Sequence, residues 1–200
     1  MKQELTNYTF KVLIFDLNGT ITGSVSDHPA HIAFRNNYIE QQLGKSLTVK
    51  LPNATSLALQ ICGLNPLRYY IYRNSKINWN QFHKYEESTL EGFLWLKNQG
   101  YKLVLYTDCL SEQIKSTMRL LKMENLFDLI ISEEFNMKKP TPKVFNYITK
   151  KLNCSYSEIL MVGNDYNKDL MPLKFLGGSI IQLDNTEELP KVFEIIANLT

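Results

Sequence analysis

The sequence has little of what marks secreted, membrane-spanning or nucleic-acid-binding proteins. Its three cysteines, Cys62, Cys109 and Cys154, are few, odd in number and far apart, which argues against a disulfide framework and against a zinc site. The 22 basic and 20 acidic residues give a formal net charge of +2, too small for a nucleic-acid-binding surface. Residues 1–9 lack the apolar core of a signal peptide, and no apolar run reaches membrane-spanning length. We therefore expect a soluble, cytoplasmic protein with no nucleic-acid or membrane partner.

The stretch from Val12 to Thr20 predicts the first strand of the core and a first candidate catalytic group. Residues 12–15 form an apolar run without polar alternation, which is typical of a strand buried on both faces of a parallel sheet. Because Gly19 and Thr20 end the run, Asp16 is expected at the strand's carboxyl end, where open α/β sheets bind ligands. A carboxylate held there can act as a nucleophile, or Asp-x-Asn-Gly can simply form a turn.

Residues 21–88 show no convincing strand and read as a small helical insertion. Four helices are predicted there: residues 31–43 ending on Gly44, residues 54–62 with Asn53 as N-cap, residues 66–72 beginning on Pro66, and residues 79–85. Such an insertion behind a strand's carboxyl end is expected to lie over a site there, like a lid. Its cationic and histidine side chains either contact the far end of a substrate or are solvated: His28, His31, Arg35, Arg68 and Arg73.

From residue 89 onward, predicted helices and strands alternate. Helices are expected over residues 90–99, 111–122, 142–152, 168–176 and 187–198, and strands over residues 101–106, 129–132, 159–162 and 179–183. This alternation predicts an α/β fold with a Rossmann-like, doubly wound parallel sheet. At 200 residues, the chain suits one core domain with a modest insertion: residues 1–20 and 89–200 as the core, and residues 21–88 as a cap.

Polar residues follow several of the predicted strands. Asp16 and Asn18 follow the first, Thr107 and Asp108 the next, and Asn164 and Asp165 a later one, while Lys139 follows another after a short loop. Because the carboxyl ends of parallel strands share one edge, these groups could face one another. A nucleophilic carboxylate, a hydroxyl, a lysine and a second carboxylate are the set that phosphoryl transfer requires, and paired carboxylates favour Mg²⁺.

Four motifs in this order resemble those of the haloacid dehalogenase-like hydrolases, in their phosphatase branch. The resemblance covers nearly the whole chain. Residues 15–20 resemble the family's Asp-x-Asp-Gly-Thr motif, residues 106–108 its strand ending in Thr or Ser, residues 139–145 its Lys-Pro-x-Pro-x-x-Phe motif, and residues 162–169 its acidic motif behind a glycine. Residues 21–88 stand where that family carries its smaller helical cap.

The resemblance implies a role for each matching residue. Asp16 would attack phosphorus and form an aspartyl-phosphate, and Thr107, Asp108 and Lys139 would contact the substrate. Mg²⁺ would bind the Asp16 carboxylate, the backbone carbonyl of Asn18 and the acidic motif, through Asp165 or else through Asn164 with Asp165 outside it. Lys138 is the competing lysine, but Lys139 directly precedes the proline, as in the motif. Asp169 would orient the site, or it is an ordinary charge near a helix start.

Asn18 departs from the family pattern, which has a second aspartate at this position. That aspartate protonates the leaving oxygen and later deprotonates the attacking water, and Asn can do neither. General acid–base catalysis contributes about 10² to 10⁴-fold. Asn18 therefore predicts a slow phosphatase, a long-lived aspartyl-phosphate, or a protein that binds without turnover.

The resulting expectation is an Mg²⁺-dependent phosphatase that acts on a small phosphorylated metabolite, as a monomer or homodimer. Two other functions stay open. One is a weakened family member that binds a phosphorylated ligand or a protein partner, for which Asn18 is the main support. The other is a metal-free dehalogenase-type hydrolase, for which an acidic fourth motif would have little use.

Overall fold

A computed structural model describes residues 1–6, 9–79 and 86–199, without the side chain of residue 27. The strands are β1 (Lys2–Glu4), β2 (Val12–Phe15), β3 (Lys102–Tyr106), β4 (Leu129–Ile131), β5 (Ile159–Gly163) and β6 (Ser179–Gln182). The helices are α1 (Pro29–Leu43), α2 (Thr55–Ile61), α3 (Pro66–Lys76), α4 (Glu87–Asn98), α5 (Ser111–Leu120), α6 (Lys143–Leu152), α7 (Met171–Phe175) and α8 (Leu189–Ala197). By its contacts the chain divides into two compact units, Met1–Gly23 with His83–Thr200, and Ser24–Phe82.

The first unit contains one six-stranded sheet in the order β1-β6-β5-β2-β3-β4. Strands β2 to β6 run parallel, with Phe15 beside Leu105 of β3 on one side and Val162 of β5 on the other. The α/β class is confirmed, but the sheet is mixed, because β1 pairs with β6 in the antiparallel sense. All three residues of β1 are exposed and polar, so they lack the apolar run by which the other strands were predicted.

Alternate residues of each central strand face opposite sides of the sheet. Leu13 and Phe15 pack in a cluster with residues of α4, α5 and α8, whereas Val12 and Ile14 pack in a cluster with residues of α6 and α7. Helices therefore cover both faces, as a doubly wound sheet requires. Because every residue of β2 is fully buried, the carboxyl end of β2 is held firmly in the middle of the sheet.

The second unit is helical in its described part and has its own small core, formed by residues such as Tyr38, Ile39, Leu59 and Tyr69. Helices α1 and α3 agree with the sequence prediction, although α3 continues to Lys76. The N-cap of α2 is Ala54 rather than Asn53. The helix predicted over residues 79–85 lies outside the described residues except for Trp79.

Three of the candidate cap side chains are buried rather than solvated. Arg35 is fully enclosed and donates from Nη1 to the carbonyl oxygens of Pro52 and Asn53, at 2.7 and 3.0 Å. The Arg73 guanidinium lies 4.9 Å from the ring centroid of Tyr70, and His31 is buried as well. The two arginines belong to the interior of the helical unit, where their long stems contribute packing as well as charge.

Burial of His31 predicts that the stability of the helical unit depends on pH. Burial, reinforced by the charges of Arg73 and Arg35, lowers the pKa of His31 to about 3. The unfolded chain, with a histidine pKa of about 6.5, therefore binds a proton that the folded unit does not. Below pH 6.5 the free energy of unfolding should fall by about 1.4 kcal/mol per pH unit.

The measurement is urea unfolding between pH 7 and pH 5, followed by the fluorescence of Trp79 in a Trp95→Phe background. In His31→Gln this pH slope should flatten, because the substituted side chain takes up no proton. An unchanged slope in His31→Gln would contradict the assignment.

Candidate active site

The carboxyl end of β2 lies between the ends of β3 and β5, which brings three predicted motifs together. The backbone N–H of Asp16 donates to Val162 of β5 at 3.1 Å, and the N–H of Thr107 donates to Ile131 of β4 at 2.9 Å. Both side chains are almost fully buried. The sheet register therefore places the residues after β2, β3 and β5 at one edge, as the alternating pattern predicted.

A buried ion triad forms the centre of this edge. The Lys139 ammonium lies 2.5 Å from Asp16 Oδ1 and 2.8 Å from Asp169 Oδ1. The three residues are 9%, 7% and 3% exposed, respectively. Lys138, by contrast, is exposed and pairs with Glu133 at 3.3 Å. The motif match had preferred Lys139 over Lys138, and only Lys139 reaches these carboxylates.

Burial and charge shift the pKa values of the triad in ways that matter for chemistry. Burial raises the pKa of Asp16 to about 6, against the opposing effect of Lys139 and with a further increase from Asp169. For Lys139, burial acts to lower the pKa, but the two carboxylates outweigh it and hold the pKa above its usual value. When both carboxylates are ionised, they outnumber the single ammonium, and a net charge of −1 favours the approach of a further cation.

Asp169 is the residue that the sequence could not assign. It lies in a π-helical turn, Tyr166–Leu170, instead of the predicted regular helix from residue 168. Its Oδ2 accepts a hydrogen bond from the N–H of Asp165 at 3.0 Å. A Cβ built on Gly163 would lie 2.7 Å from the Asp169 Cβ, so only glycine allows this close approach. Turns of this kind are frequent at functional sites, and here the turn directs Asp169 toward Lys139.

Asn164 and Asp165, the two alternatives in the acidic motif, have different surroundings. The Asn164 amide packs against Gly19, where a Cβ would lie 2.7 Å from its Cγ. Gly19 has a φ of +89°, which glycine adopts without strain. The Asp165 carboxylate instead accepts hydrogen bonds from the N–H groups of Asn167 and Lys168, both at 3.1 Å, and its side chain is 41% exposed. Asn164 is thus the one beside the turn that follows Asp16.

The Asn18 amide is held by two neighbours within the first unit. Its Nδ2 donates to Cys109 Sγ at 2.9 Å, and its Oδ1 lies 3.3 Å from the Thr22 hydroxyl, whose one proton is shared with the Leu17 carbonyl at 3.2 Å. The turn itself is closed by the N–H of Gly19, which donates to the Thr22 carbonyl at 2.5 Å. Nothing in the sequence pattern indicated that Cys109 would contact Asn18.

Thr107 and Asp108 contact the backbone of their surroundings. Thr107 Oγ1 accepts from the N–H of Cys109 at 3.2 Å, which leaves its own proton available to a ligand. Asp108 Oδ1 accepts from the N–H of Lys139 at 3.0 Å. Asp108, predicted as a substrate contact, therefore holds the lysine-bearing loop in this structure.

Glu134 is a further structural residue that sequence reasoning missed. Its carboxylate accepts from the Ser111 N–H and hydroxyl at 2.9 and 2.6 Å, and from the Ser132 hydroxyl at 2.5 Å. Burial alone would raise its pKa, but these hydrogen bonds lower it to about 2. These hydrogen bonds tie the loop after β4 to the start of α5. No sequence motif indicates a contact of this kind.

The donor set at this edge suits a hard cation that needs few protein ligands. Among the described residues, no three His, Cys, Asp or Glu side chains converge as a metal cluster. Asp16, Asn18 and Asn164 nevertheless carry oxygen atoms, and Asn164 packs on Gly19 of the turn that follows Asp16. Mg²⁺ commonly uses one or two carboxylates and completes its shell with water and substrate phosphate, so these residues fit it.

Comparisons with known proteins identify relatives of the chain. A family model described as haloacid dehalogenase-like hydrolase matches residues 13–174. The chain is 36% identical over 90 residues to a glyceraldehyde 3-phosphate phosphatase of Methanocaldococcus jannaschii, covering 44% of this chain and 40% of that protein. It is 27% identical over 191 residues to the enzyme of the same name from Pyrococcus abyssi, covering 84% and 78%.

A solved structure supports the fold. It is the crystal structure of a predicted phosphoglycolate phosphatase from Haemophilus somnus 129pt, with a TM-score of 0.69 and 19% identity, covering 88% of this chain and 86% of that one.

In the described part of the chain, no helix has both the length and the apolar character needed to cross a membrane.

The triad predicts a large stability difference between two adjacent lysines. Lys139→Met would leave Asp16 and Asp169 buried without their cation, which should cost about 3–5 kcal/mol of unfolding free energy at pH 7. Lys138→Met is the matched control, and since its partner Glu133 is at the surface, its loss should stay below about 1 kcal/mol. Urea unfolding in EDTA measures both. Equal losses would mean that the triad does not stabilise the fold.

Proposed function

The chain belongs to the haloacid dehalogenase-like hydrolase family, and we propose that it is a phosphatase for small phosphorylated metabolites. The observation that carries this proposal is the buried contact of Lys139 with Asp16 and Asp169 at the end of β2. It combines a carboxylate nucleophile with a cation able to contact phosphoryl oxygens. The relatives named for glyceraldehyde 3-phosphate further support a short phosphorylated substrate.

In the first step, Asp16 would act as the nucleophile. An Asp16 carboxylate oxygen bonds to phosphorus while the bond from phosphorus to the leaving oxygen breaks, which leaves an aspartyl-phosphate and an alkoxide that takes a proton from water. The Lys139 ammonium and the Thr107 hydroxyl would both contact the phosphoryl oxygens. The hydroxyl proton is available for this contact because Thr107 Oγ1 accepts its hydrogen bond from the Cys109 N–H. Asp108 would act indirectly, by holding the Lys139 backbone.

In the second step, water attacks phosphorus, the bond from phosphorus to Asp16 breaks, and inorganic phosphate leaves. An aspartate at position 18 would take the proton of this water, but the Asn18 amide has no basic oxygen for it. The Asn18 side chain instead donates to Cys109 Sγ. We therefore propose a slow enzyme, in which both proton transfers fall to solvent.

We further propose that the enzyme uses Mg²⁺, held by the Asp16 carboxylate, the Asn18 carbonyl and Asn164. Asn164 is preferred to Asp165 because it packs on Gly19, while Asp165 caps its own turn. When bound, the ion supplies positive charge to the phosphoryl oxygens and lowers repulsion between substrate and nucleophile. Replacement of Asn18 by another residue leaves a backbone ligand in place.

Residues 21–88 are proposed as the cap that selects the substrate. Most of this stretch, Ser24–Phe82, forms its own compact unit, which is helical in its described part and has buried arginines, as suits a rigid recognition element. The cytoplasmic location and the monomeric or homodimeric state stay predictions from the sequence.

A second candidate function is phosphoryl-ligand binding without turnover. The Asn18 amide favours it, because both of its polar atoms are engaged by Cys109 and Thr22. In that case the site would bind orthophosphate through Lys139 and release no product.

A panel of phosphorylated two- to six-carbon metabolites, assayed for phosphate release with millimolar Mg²⁺, tests the function. We expect release from at least one substrate, its loss in EDTA, and its absence in Asp16→Asn, which keeps the shape but not the nucleophile. A Lys138→Met control should retain activity. Release that survives Asp16→Asn would refute the mechanism, and orthophosphate binding without any release would favour the second candidate.

Asn18→Asp should raise turnover about 10²-fold or more, because it restores a group able to transfer the proton. The gain should be largest for alkyl phosphates, whose leaving oxygen needs protonation, and small for an activated aryl phosphate. Measurement of kcat for both substrate types checks this, with Asn18→Ala as a control that should show no gain. Lower activity in Asn18→Asp would give the native amide a positive role and contradict the proposal.

A further inference from the structure

We propose that Tyr106 is a positioning residue for Lys139, holding both the lysine-bearing loop and the ammonium group. The inference rests on the proposed function, since it assumes that the position of Lys139 determines phosphoryl binding. Tyr106 is the last residue of β3 and is 1% exposed. The strand does not require a tyrosine at this position, because another buried apolar side chain could occupy it.

The hydroxyl of Tyr106 anchors the loop. It donates a hydrogen bond to the backbone carbonyl of Met137 at 2.9 Å, two residues before Lys139. Asp108, two residues after Tyr106, accepts from the N–H of Lys139 at 3.0 Å. The end of β3 thus holds the segment from Met137 to Lys139 at both of its ends.

The ring of Tyr106 acts on the other end of the lysine side chain. The Lys139 ammonium lies 4.9 Å from the ring centroid, within the range in which an aromatic face attracts a cation. Two of its three N–H groups are taken by Asp16 and Asp169. The ring therefore adds a third contact that limits rotation of the long, flexible lysine stem.

The packing around Tyr106 keeps its ring in this orientation. Its ring meets Phe145 of α6 edge to face, with centroids 6.3 Å apart and an interplanar angle of 85°. It belongs to the fully buried cluster between the sheet and α6. Leucine at this position would fill the same cluster, but it would offer neither the hydroxyl nor the aromatic face.

The test compares Tyr106→Phe, Tyr106→Leu and Tyr101→Phe with the wild type. Tyr106→Phe removes the hydroxyl alone, whereas Tyr106→Leu removes the ring as well. Tyr101→Phe is the matched control, because Tyr101 precedes the same strand, is buried, and packs in the cluster on the opposite face. The probe is orthophosphate in the presence of Mg²⁺, and thermal melting reports any general loss of stability.

Orthophosphate affinity should fall about fivefold in Tyr106→Phe, as for one lost hydrogen bond, and about tenfold or more in Tyr106→Leu. Tyr101→Phe should bind as the wild type does. In an active enzyme, the same order should appear in KM. Unchanged affinity in both Tyr106 variants, or an equal loss in Tyr101→Phe, would overturn the inference. If Tyr106→Leu fails to fold, Tyr106→Phe decides alone.

Hydrogen exchange of the Lys139 amide separates this inference from the proposed function. Its protection should fall in Tyr106→Phe and stay unchanged in Tyr101→Phe, whether or not the wild type is active. If the wild type binds no orthophosphate, the proposed function fails, and the exchange result still decides the role of Tyr106. Equal protection in the two variants would refute that role.

Discussion

The contact between one buried ammonium and two buried carboxylates is the constraint on which the rest of the site depends. Lys139, Asp16 and Asp169 come from three separate segments of the chain and meet with almost no exposure. Charges removed from water are costly unless they are paired with good geometry. The surrounding loops must therefore hold these groups within hydrogen-bonding distance. In return, the site gains a lysine already placed beside Asp16, the proposed nucleophile.

The neighbouring structure provides this positioning through backbone contacts and glycines. The lysine loop is held by Tyr106 and Asp108. On the other side, Gly163 and Gly19 admit the side chains of Asp169 and Asn164 at distances that a Cβ would block. These contacts explain how residues from distant parts of the chain are held together at one site.

Asn18 separates the two functions that an aspartate would combine at this position. In the proposed mechanism the backbone carbonyl remains a metal ligand, while the amide cannot transfer a proton and instead contacts Cys109 and Thr22. Removing a carboxylate also limits the negative charge near the triad, whose net charge is already −1. An aspartate at position 18 would favour turnover but add negative charge near the triad, whereas Asn18 does the reverse. This is consistent with a slow enzyme and with a binding protein.

The sequence by itself determined the α/β class, the five parallel strands and the position of Asp16 after a buried strand, because apolar periodicity and strand ends are local properties. It missed β1, whose polar residues carry no such pattern. It left Asp169 open and could not choose between Asn164 and Asp165, because these depend on a π-helical turn and on packing against Gly163 and Gly19. Only the tertiary structure showed the surroundings of these residues, since contacts between residues more than a hundred positions apart, such as Asp16 and Lys139, arise from sheet order and loop packing.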